Sequence, residues 1–214
     1  MSLSSKINTL KVSMADKVPL EALQAMGNAA QALASSGIAQ KALKVGARAP
    51  TFELPDADGH IVPLNDLLKD GPVVLTFYRG QWCPFCNLTL AALQRELSQI
   101  KKTGATLIAV SPQTPAATGA TVKATKTEFP VLSDAGNKVA RAFGLVFSLS
   151  AEMRPIYHQL GADLPTVNGD ASYELPLAAT YVIGRDRHIA YAFVDSDYSK
   201  RMEPSEIVRV LKTL

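Results

Sequence analysis

The only two cysteines of this 214-residue chain, Cys83 and Cys86, stand three positions apart. Residues three apart on a helix have Cβ atoms about 5–6 Å from each other, which is close to the distance that a disulfide bridges. One thiolate of such a pair can attack an electrophilic disulfide or the O–O bond of a hydroperoxide, and the other can resolve the product. The spacing therefore predicts dithiol–disulfide redox chemistry.

A buried strand that runs directly into a helix would position both thiols. Residues 73–78 are all apolar or β-branched, which is typical of a strand covered on both faces in a largely parallel sheet. Pro84 suits the first position of a helix, so Cys83 falls at the N-cap and Cys86 one turn inside. Because the positive potential of a helix N-terminus lowers a thiol pKa, we expect Cys83 to be the exposed nucleophile and Cys86 its shielded resolving partner.

Four neighbours of the pair are candidates for its substrate pocket: Tyr78, Arg79, Trp82 and Pro84. Arg79 adds positive charge, and Trp82 offers an apolar wall against which a substrate can dock. Packing is the simpler role for both aromatic residues. His158 is a candidate acid from a later part of the chain, for which a structural role is the simpler interpretation.

Other roles for the cysteines have less support. A zinc site needs four ligands, whereas the three histidines lie far apart in the sequence without paired spacing. Two inert core cysteines would be compatible with the small, apolar character of a free thiol, but such residues need not follow a strand or flank a proline. We expect neither a metal nor another cofactor.

Composition excludes several classes of function. The chain is 47% hydrophobic and 19% charged with a net charge of +3, and no basic cluster is interleaved with aromatic residues, so we expect no nucleic-acid partner. No run approaches the roughly 20 apolar residues of a membrane helix, and residues 1–17 lack the features of a secretory signal. These patterns predict a cytoplasmic protein, and in a reducing compartment a C-x-x-C pair is typically redox-active or metal-binding.

The elements ahead of the cysteines divide into a helical segment and a hairpin. Residues 18–43 show helical spacing with interruptions at 27–28 and 35–37, which indicates one long or two short helices. Such a segment could cover a sheet edge, cap an open pocket or join a second subunit as in a homodimer. Residues 51–64 carry a hairpin pattern around a Pro-Asp-Ala-Asp-Gly turn.

The elements after the cysteine helix alternate between strands and helices. Residues 105–110 form a second buried strand and complete a β-α-β unit, and residues 111–114 should border the cysteines because they follow a strand at the same sheet edge. Residues 148–175 are the least regular part, with a short helix interrupted by Pro155 and a long loop. Strands at 179–183 and 188–194 precede a polar turn at 195–201 and a last helix, which gives a mixed sheet with helices on both faces.

Five segments in this order resemble the alkyl hydroperoxide reductase C/thiol-specific antioxidant family: residues 46–52, 77–86, 109–112, 131–134 and 179–183. More narrowly, the chain resembles the peroxiredoxin-like branch with a thioredoxin-type C-x-x-C. The resemblance covers about residues 45–214. It implies an α/β thioredoxin-like fold, a mixed central β-sheet flanked by helices on both faces, with residues 1–44 as an N-terminal helical extension.

The resemblance implies a thiol-dependent antioxidant oxidoreductase that reduces hydroperoxides through a Cys83/Cys86 dithiol–disulfide cycle, with thioredoxin or a small thiol as reductant. One alternative is a thioredoxin-like disulfide reductase without physiological peroxidase activity. A second is a non-catalytic redox sensor that uses the fold as a scaffold, because fold does not fix function.

The two related patterns disagree about the nucleophile. Peroxiredoxins resemble Pro-x-x-x-Thr-x-x-Cys in this loop, which places Cys86 at the attacking position, Cys83 at the threonine and Arg79 at the proline. The arginine that polarises the peroxide in that family would fall at Ala178. These departures imply slower peroxide reduction unless Arg79 or Arg141 substitutes for that arginine. Thioredoxins and the helix terminus favour Cys83 instead, and this is the assignment we expect.

Overall fold

The structure is a computed structural model that describes all 214 residues. Its helices are α1 (Leu3–Ala15), α2 (Leu20–Ser35), α3 (Ile38–Lys41), α4 (Leu64–Asp70), α5 (Pro84–Lys102), α6 (Pro115–Thr125), α7 (Lys138–Ala142), α8 (Met153–Gln159), α9 (Leu164–Asn168) and α10 (Pro204–Leu211). Its strands are β1 (Glu53–Pro55), β2 (Ile61–Pro63), β3 (Val73–Phe77), β4 (Thr106–Ser111), β5 (Val131–Ser133), β6 (Val146–Ser148), β7 (Glu174–Pro176), β8 (Ala179–Ile183) and β9 (Ile189–Val194).

The central sheet has five strands in the order β5-β4-β3-β8-β9. β3 lies in the middle, parallel to β4 and antiparallel to β8. β4 and β5 are parallel, and β8 and β9 are antiparallel. The predicted mixed sheet and β-α-β unit are therefore confirmed, although the largely parallel surroundings expected for β3 are present on one side only.

Side chains of β3 alternate between two hydrophobic clusters, one on each face of the sheet. Val74 belongs to the cluster that contains α1, α5, α10 and both cysteines. Leu75 and Phe77 belong to the cluster that contains α4, α7 and the β1–β2 hairpin. Because both faces are covered, all five residues of β3 are buried, as the uninterrupted apolar run predicts.

The first 44 residues pack against the rest of the chain through α1 and α2. α1 is a helix for which the sequence gives no prediction, and its Leu3 and Ile7 enter the cluster with α5 and α10. The Glu203 carboxylate accepts hydrogen bonds from the backbone N–H groups of Leu3 and Ser4 at 3.0 and 2.7 Å, and an anion stabilises a helix N-terminus. α2 continues through Gly27 because one glycine costs a helix only about 1 kcal/mol. The division of the chain at residue 45 stays a prediction.

Residues 148–175 are more regular than the sequence predicts. α8 includes Pro155 without interruption because this proline lies in the first turn, where N–H groups have no helical partner. α9 replaces part of the expected loop, and β6 pairs antiparallel with β7. These short elements gather around a small hydrophobic cluster of their own, so tertiary contacts rather than local patterns define them.

None of the helices combines the length and the hydrophobicity that crossing a lipid bilayer requires.

Candidate functional site

The turn from β3 into α5 places both thiols where the sequence predicts. Cys83 is the N-cap of α5 and Pro84 is its first residue. The backbone N–H of Cys86 donates to the carbonyl oxygen of Cys83 at 3.0 Å, so this carbonyl begins the helix. Both cysteines are free thiols.

Gly80 shapes the turn, because a side chain at this position would be strained and would meet the Trp82 ring. Its φ is 148°, a conformation that side chains disfavour. A Cβ atom here would lie 2.4 Å from Nε1 of Trp82. The absence of a side chain thus allows the indole to lie against the backbone of the turn, where its ring packs 5.3 Å from that of Tyr157, measured between centroids.

The segment after β4 borders the turn, as its place at the sheet edge predicts. Gln113 is buried, and its Oε1 accepts hydrogen bonds from the backbone N–H of Gln81 at 3.0 Å and from the Thr121 hydroxyl at 3.1 Å. The side-chain amide of Asn87 donates to the carbonyl oxygen of Gln81 at 2.8 Å. These bonds tie the cysteine loop to β4, α6 and α5.

Neither sulfur is open to solvent. Cys83 has 4% of its surface exposed and Cys86 has none, so the expectation of an exposed Cys83 is wrong. Tertiary packing is the reason, because Cys83 lies in a hydrophobic cluster with Phe85, against which Trp82 and Tyr198 pack. The rings form two pairs, Phe85 with Tyr198 at 5.4 Å between centroids and Trp82 with Tyr157. We refer to these four rings as the aromatic cover: Trp82, Phe85, Tyr157 and Tyr198.

An arginine from a distant part of the sequence contacts one of the two sulfurs. Nη2 of Arg201, in the segment after β9, donates to Sγ of Cys86 at 3.6 Å. Nη1 of Arg201 donates to the carbonyl oxygens of Tyr198 and Lys200, which fixes the guanidinium. The sequence of residues 195–201 predicts only a polar turn, and no local pattern distinguishes Arg201 from other surface arginines. Its position depends on how β9 leaves the sheet.

The surroundings act on the two thiols in opposite directions. Burial opposes a charge on Cys86 and by itself would raise the pKa of this thiol. The hydrogen bond from Cys83, the charge of Arg201, and the backbone N–H and charge of Arg79 act in the opposite direction and outweigh burial. The pKa of Cys86 therefore lies well below that of an ordinary thiol. The pKa of Cys83 is raised because its proton is held in the hydrogen bond to Cys86, and because burial and the nearby negative charge disfavour a second thiolate. Both directions favour a thiolate on Cys86 and a protonated Cys83.

Arg79 is a buried cation beside the thiolate. Only 4% of its surface is exposed, and its Cζ lies 5.1 Å from the ring centroid of Phe147 and 5.7 Å from that of Tyr198. Cation–π contacts of this kind stabilise a desolvated guanidinium. No carboxylate forms an ion pair with Arg79, and its Nε has no hydrogen-bond partner.

The other candidates from the sequence occupy different positions. Tyr78 is buried in the same hydrophobic cluster as the cysteines, and burial raises its pKa to about 12. Pro84 and His158 are exposed. Arg141 forms an ion pair with Glu174 at the surface, so Arg201 rather than Arg141 supplies the second arginine near the sulfurs. Ala178, where the family resemblance expects an arginine, is a buried alanine.

Comparison with known sequences gives a consistent result. The model of the AhpC/TSA family matches residues 45–192. The chloroplastic peroxiredoxin Q of Triticum aestivum is 28% identical over 181 residues, which cover 85% of this chain and 72% of that protein. A putative peroxiredoxin of Mycobacterium tuberculosis is 30% identical over 114 residues, which cover 53% of this chain and 74% of the relative.

Comparison with solved structures supports the same fold. The peroxidoxin BcpB from Mycobacterium tuberculosis superposes with a TM-score of 0.63 at 23% identity, over 80% of this chain and 98% of the other. A cysteine-to-serine mutant of PrxQ from Xylella fastidiosa also gives a TM-score of 0.63, at 16% identity over 80% of this chain and 96% of the other. At such identities the likeness establishes the thioredoxin-like fold.

Proposed function

Because the chain belongs to the AhpC/TSA family, and is on that ground a thiol-dependent peroxidase and antioxidant enzyme, we propose that Cys86 attacks the hydroperoxide and Cys83 resolves the product. The observation that carries this order is the 3.6 Å hydrogen bond from Arg201 to Sγ of Cys86. This order of attack is the reverse of the one that the helix N-terminus alone predicts. The proposed order agrees with the loop pattern of peroxiredoxins, which aligns Cys86 with the attacking cysteine and Cys83 with the threonine.

The reaction begins with the Cys86 thiolate. Its sulfur attacks the terminal oxygen of the hydroperoxide, so an S–O bond forms while the O–O bond breaks. The leaving oxygen takes up a proton and departs as an alcohol, or as water when the substrate is hydrogen peroxide. Arg79 and Arg201 stabilise the thiolate and the negative charge that develops on the leaving oxygen. Cys86 is then a sulfenic acid.

Cys83 completes the oxidative half of the cycle. Its sulfur attacks the Cys86 sulfur, an S–S bond forms, and the hydroxyl group of the sulfenic acid leaves as water with the proton of Cys83. One external dithiol or two molecules of a monothiol reduce this disulfide by two successive exchanges and are themselves oxidised to a disulfide. We propose a thioredoxin-type protein or a small thiol as this reductant, and the cytoplasm as the compartment, because thiol-reducing systems operate there.

Access to the sulfur requires movement of the protein. Cys86 has no exposed surface, so a hydroperoxide reaches it only after part of the aromatic cover shifts. Local opening of this kind costs less free energy than global unfolding. The rings of Tyr157 and Tyr198 are the candidates to move, because each contacts the turn from an element outside it.

The cycle from hydroperoxide to disulfide, in either order of the two cysteines, is tested by turnover. We expect the purified protein to consume hydroperoxide in the presence of thioredoxin and its reductase, and to lose two thiols for each equivalent of hydroperoxide added without reductant. Consumption no faster than with free dithiol would contradict it. Reduction of insulin disulfides without peroxide turnover would instead identify a disulfide reductase.

A further inference from the structure

The N-terminal helix α1 is bonded to the segment that carries Arg201. The carboxylate of Glu203 accepts hydrogen bonds from the backbone N–H groups of Leu3 at 3.0 Å and Ser4 at 2.7 Å. The first N–H groups of a helix have no partner within the helix, and a negative charge beside them is stabilised by the helix dipole. Glu203 therefore supplies from a distant part of the chain an acceptor that α1 itself lacks.

Three consecutive residues of this segment are held by different parts of the molecule. Arg201 donates to Sγ of Cys86 at 3.6 Å. Met202 is buried in the hydrophobic cluster to which α1 also contributes, and Glu203 binds the N-terminus of α1. Because neighbouring Cα atoms lie about 3.8 Å apart, a displacement of Glu203 is transmitted to Arg201 through a single intervening residue.

The side chain of Glu203 has no competing structural role. Glu203 is the N-cap residue of α10, but its side chain makes no capping hydrogen bond to that helix. It also forms no ion pair with a lysine or an arginine. The polar contacts that a substitution of this side chain would remove are therefore contacts with α1.

The other hydrogen bonds of Arg201 lie within its own segment. Its Nη1 donates to the carbonyl oxygens of Tyr198 and Lys200. These bonds fix the guanidinium relative to the segment, but they do not fix the segment relative to α5, where Cys86 lies. Because the interaction between two charges weakens with distance, the position of the segment determines how strongly Arg201 acts on the sulfur.

We infer that Glu203 is a positioning residue, which binds the N-terminus of α1 and thereby holds Arg201 against Cys86. This inference rests on the proposed function, in which Cys86 attacks the hydroperoxide, and it gives α1 a role in that reaction. α1 and Glu203 lie on either side of residues 45–192, which match the family model. Both partners of the contact are thus outside the matched region.

The other ionisable groups that interact with the Cys86 thiol come from different elements. They are Cys83 and Arg79 in the turn before α5, Tyr78 at the end of β3 and Tyr157 in α8. None of them belongs to α1 or to the segment after β9. A substitution of Glu203 therefore reaches Cys86 through Arg201.

Titration of the Cys86 thiol tests the inference. The ultraviolet absorbance of the thiolate is followed against pH in Cys83→Ser protein, in which a hydroxyl replaces the second thiol and one sulfur titrates. The test variant is Glu203→Ala. The matched control is Glu206→Ala, because Glu206 is a second glutamate at the start of α10 and pairs with Arg209 instead of α1.

We expect Glu203→Ala to move the inflection to higher pH by about one pH unit, the lower end of what a nearby opposite charge produces, and Glu206→Ala to leave it in place. The double variant of Glu203→Ala and Arg201→Met should titrate like Arg201→Met alone, because residues that act as one unit are not additive. An unmoved inflection in Glu203→Ala would overturn the inference, and so would a double variant in which the two shifts add.

A second substitution covers the case in which Glu203→Ala lacks the near-ultraviolet circular dichroism of the folded protein. Glu203→Gln keeps one oxygen that accepts a hydrogen bond from α1, and we expect its inflection to lie between those of the wild-type residue and Arg201→Met. An inflection of Glu203→Gln equal to that of the wild-type residue, in a protein whose α1 has lost its protection from hydrogen exchange, would contradict the role of Glu203.

The titration uses no hydroperoxide, so its outcome is separate from that of turnover. An unmoved inflection in a protein that consumes hydroperoxide would overturn the inference and leave the proposed function standing. A wild-type protein that consumes no hydroperoxide would overturn the proposed function and, with it, the role of Glu203 in the reaction.

Discussion

Two regions of the molecule act on the cysteine pair, and they favour different sulfurs. The turn at residues 80–86 is local, and its helix N-terminus directs positive potential toward Cys83 at the N-cap. The segment after β9 is remote in sequence, and its Arg201 donates a hydrogen bond to Cys86. In the folded chain the charge of this remote cation lowers the pKa of Cys86 and so favours a thiolate there.

The difference shows how far a helix terminus can determine thiol reactivity. Its partial charge is equivalent to about half an elementary charge and weakens within one turn, whereas Arg201 and Arg79 carry full charges in surroundings with little water. Burial magnifies these interactions because the effective dielectric constant is lower there than in water. A buried pair of thiols therefore responds more to nearby guanidinium groups than to the end of the helix.

Among the substitutions considered, removal of Arg201 should have the largest effect on the reactivity of Cys86. We expect Arg201→Met to slow oxidation of Cys86 by hydroperoxide at neutral pH by about 10- to 100-fold, because a hydrogen bond to a charged group contributes about 1.5–3 kcal/mol. The second-order rate constant in single-turnover experiments measures this effect. Arg209→Met is the matched control, since Arg209 is paired with Glu206 at the surface of α10, and a similar loss in both variants would contradict the role of Arg201.

The pH dependence of the oxidation rate also tests whether Arg201 acts on the Cys86 thiol. Because the pKa of Cys86 is lowered, the wild-type oxidation rate should stay constant from alkaline to neutral pH and fall only on acidification, as the thiolate takes up a proton. Loss of Arg201 removes a group that stabilises the charged form, so the pKa of Cys86 rises and the inflection moves to higher pH. The deficit of Arg201→Met should then shrink in alkaline solution. Identical inflections in both proteins would show that Arg201 does not act on the thiol.

A change within the turn should affect stability instead. We expect Gly80→Ala to lower the free energy of unfolding by about 1–3 kcal/mol, because the added Cβ stores backbone strain and displaces the Trp82 ring. Urea denaturation measures this change. Gly27→Ala in α2, where no atom lies within 4 Å of the added Cβ, should be neutral or stabilising. A Gly80→Ala protein as stable as the wild type would show that the turn does not require glycine.

The sequence predicted the elements that local patterns define. The apolar run of β3 and Pro84 at the start of α5 both have their structural causes within a few residues. The predicted hairpin of β1 and β2 is likewise confirmed, and so are the two predicted strands that correspond to β8 and β9. Such features depend on hydrophobic periodicity and capping, which are visible in a single chain.

The features that the sequence did not predict depend on contacts between distant segments. The burial of Cys83 depends on its hydrophobic cluster, against which Tyr198 packs from the segment after β9. Tyr157 of α8 contacts Trp82 in the same way from a distant part of the chain. The hydrogen bond from Arg201 arises in the same way. α1 has a stable position because Leu3 and Ile7 enter the core, not because its pattern is strongly amphipathic.

The central claim, that Cys86 is the attacking sulfur, is tested most directly by treating Cys83→Ser and Cys86→Ser with one equivalent of hydroperoxide and a sulfenic acid probe. Peptide mass spectrometry then locates the oxidised sulfur. We predict that Cys83→Ser acquires a probe-reactive sulfenic acid at Cys86, while Cys86→Ser keeps Cys83 as a thiol over the same time. Sulfenic acid at Cys83 in the Cys86→Ser protein, with Cys86 unreacted in the Cys83→Ser protein, would contradict the account and restore Cys83 as the nucleophile.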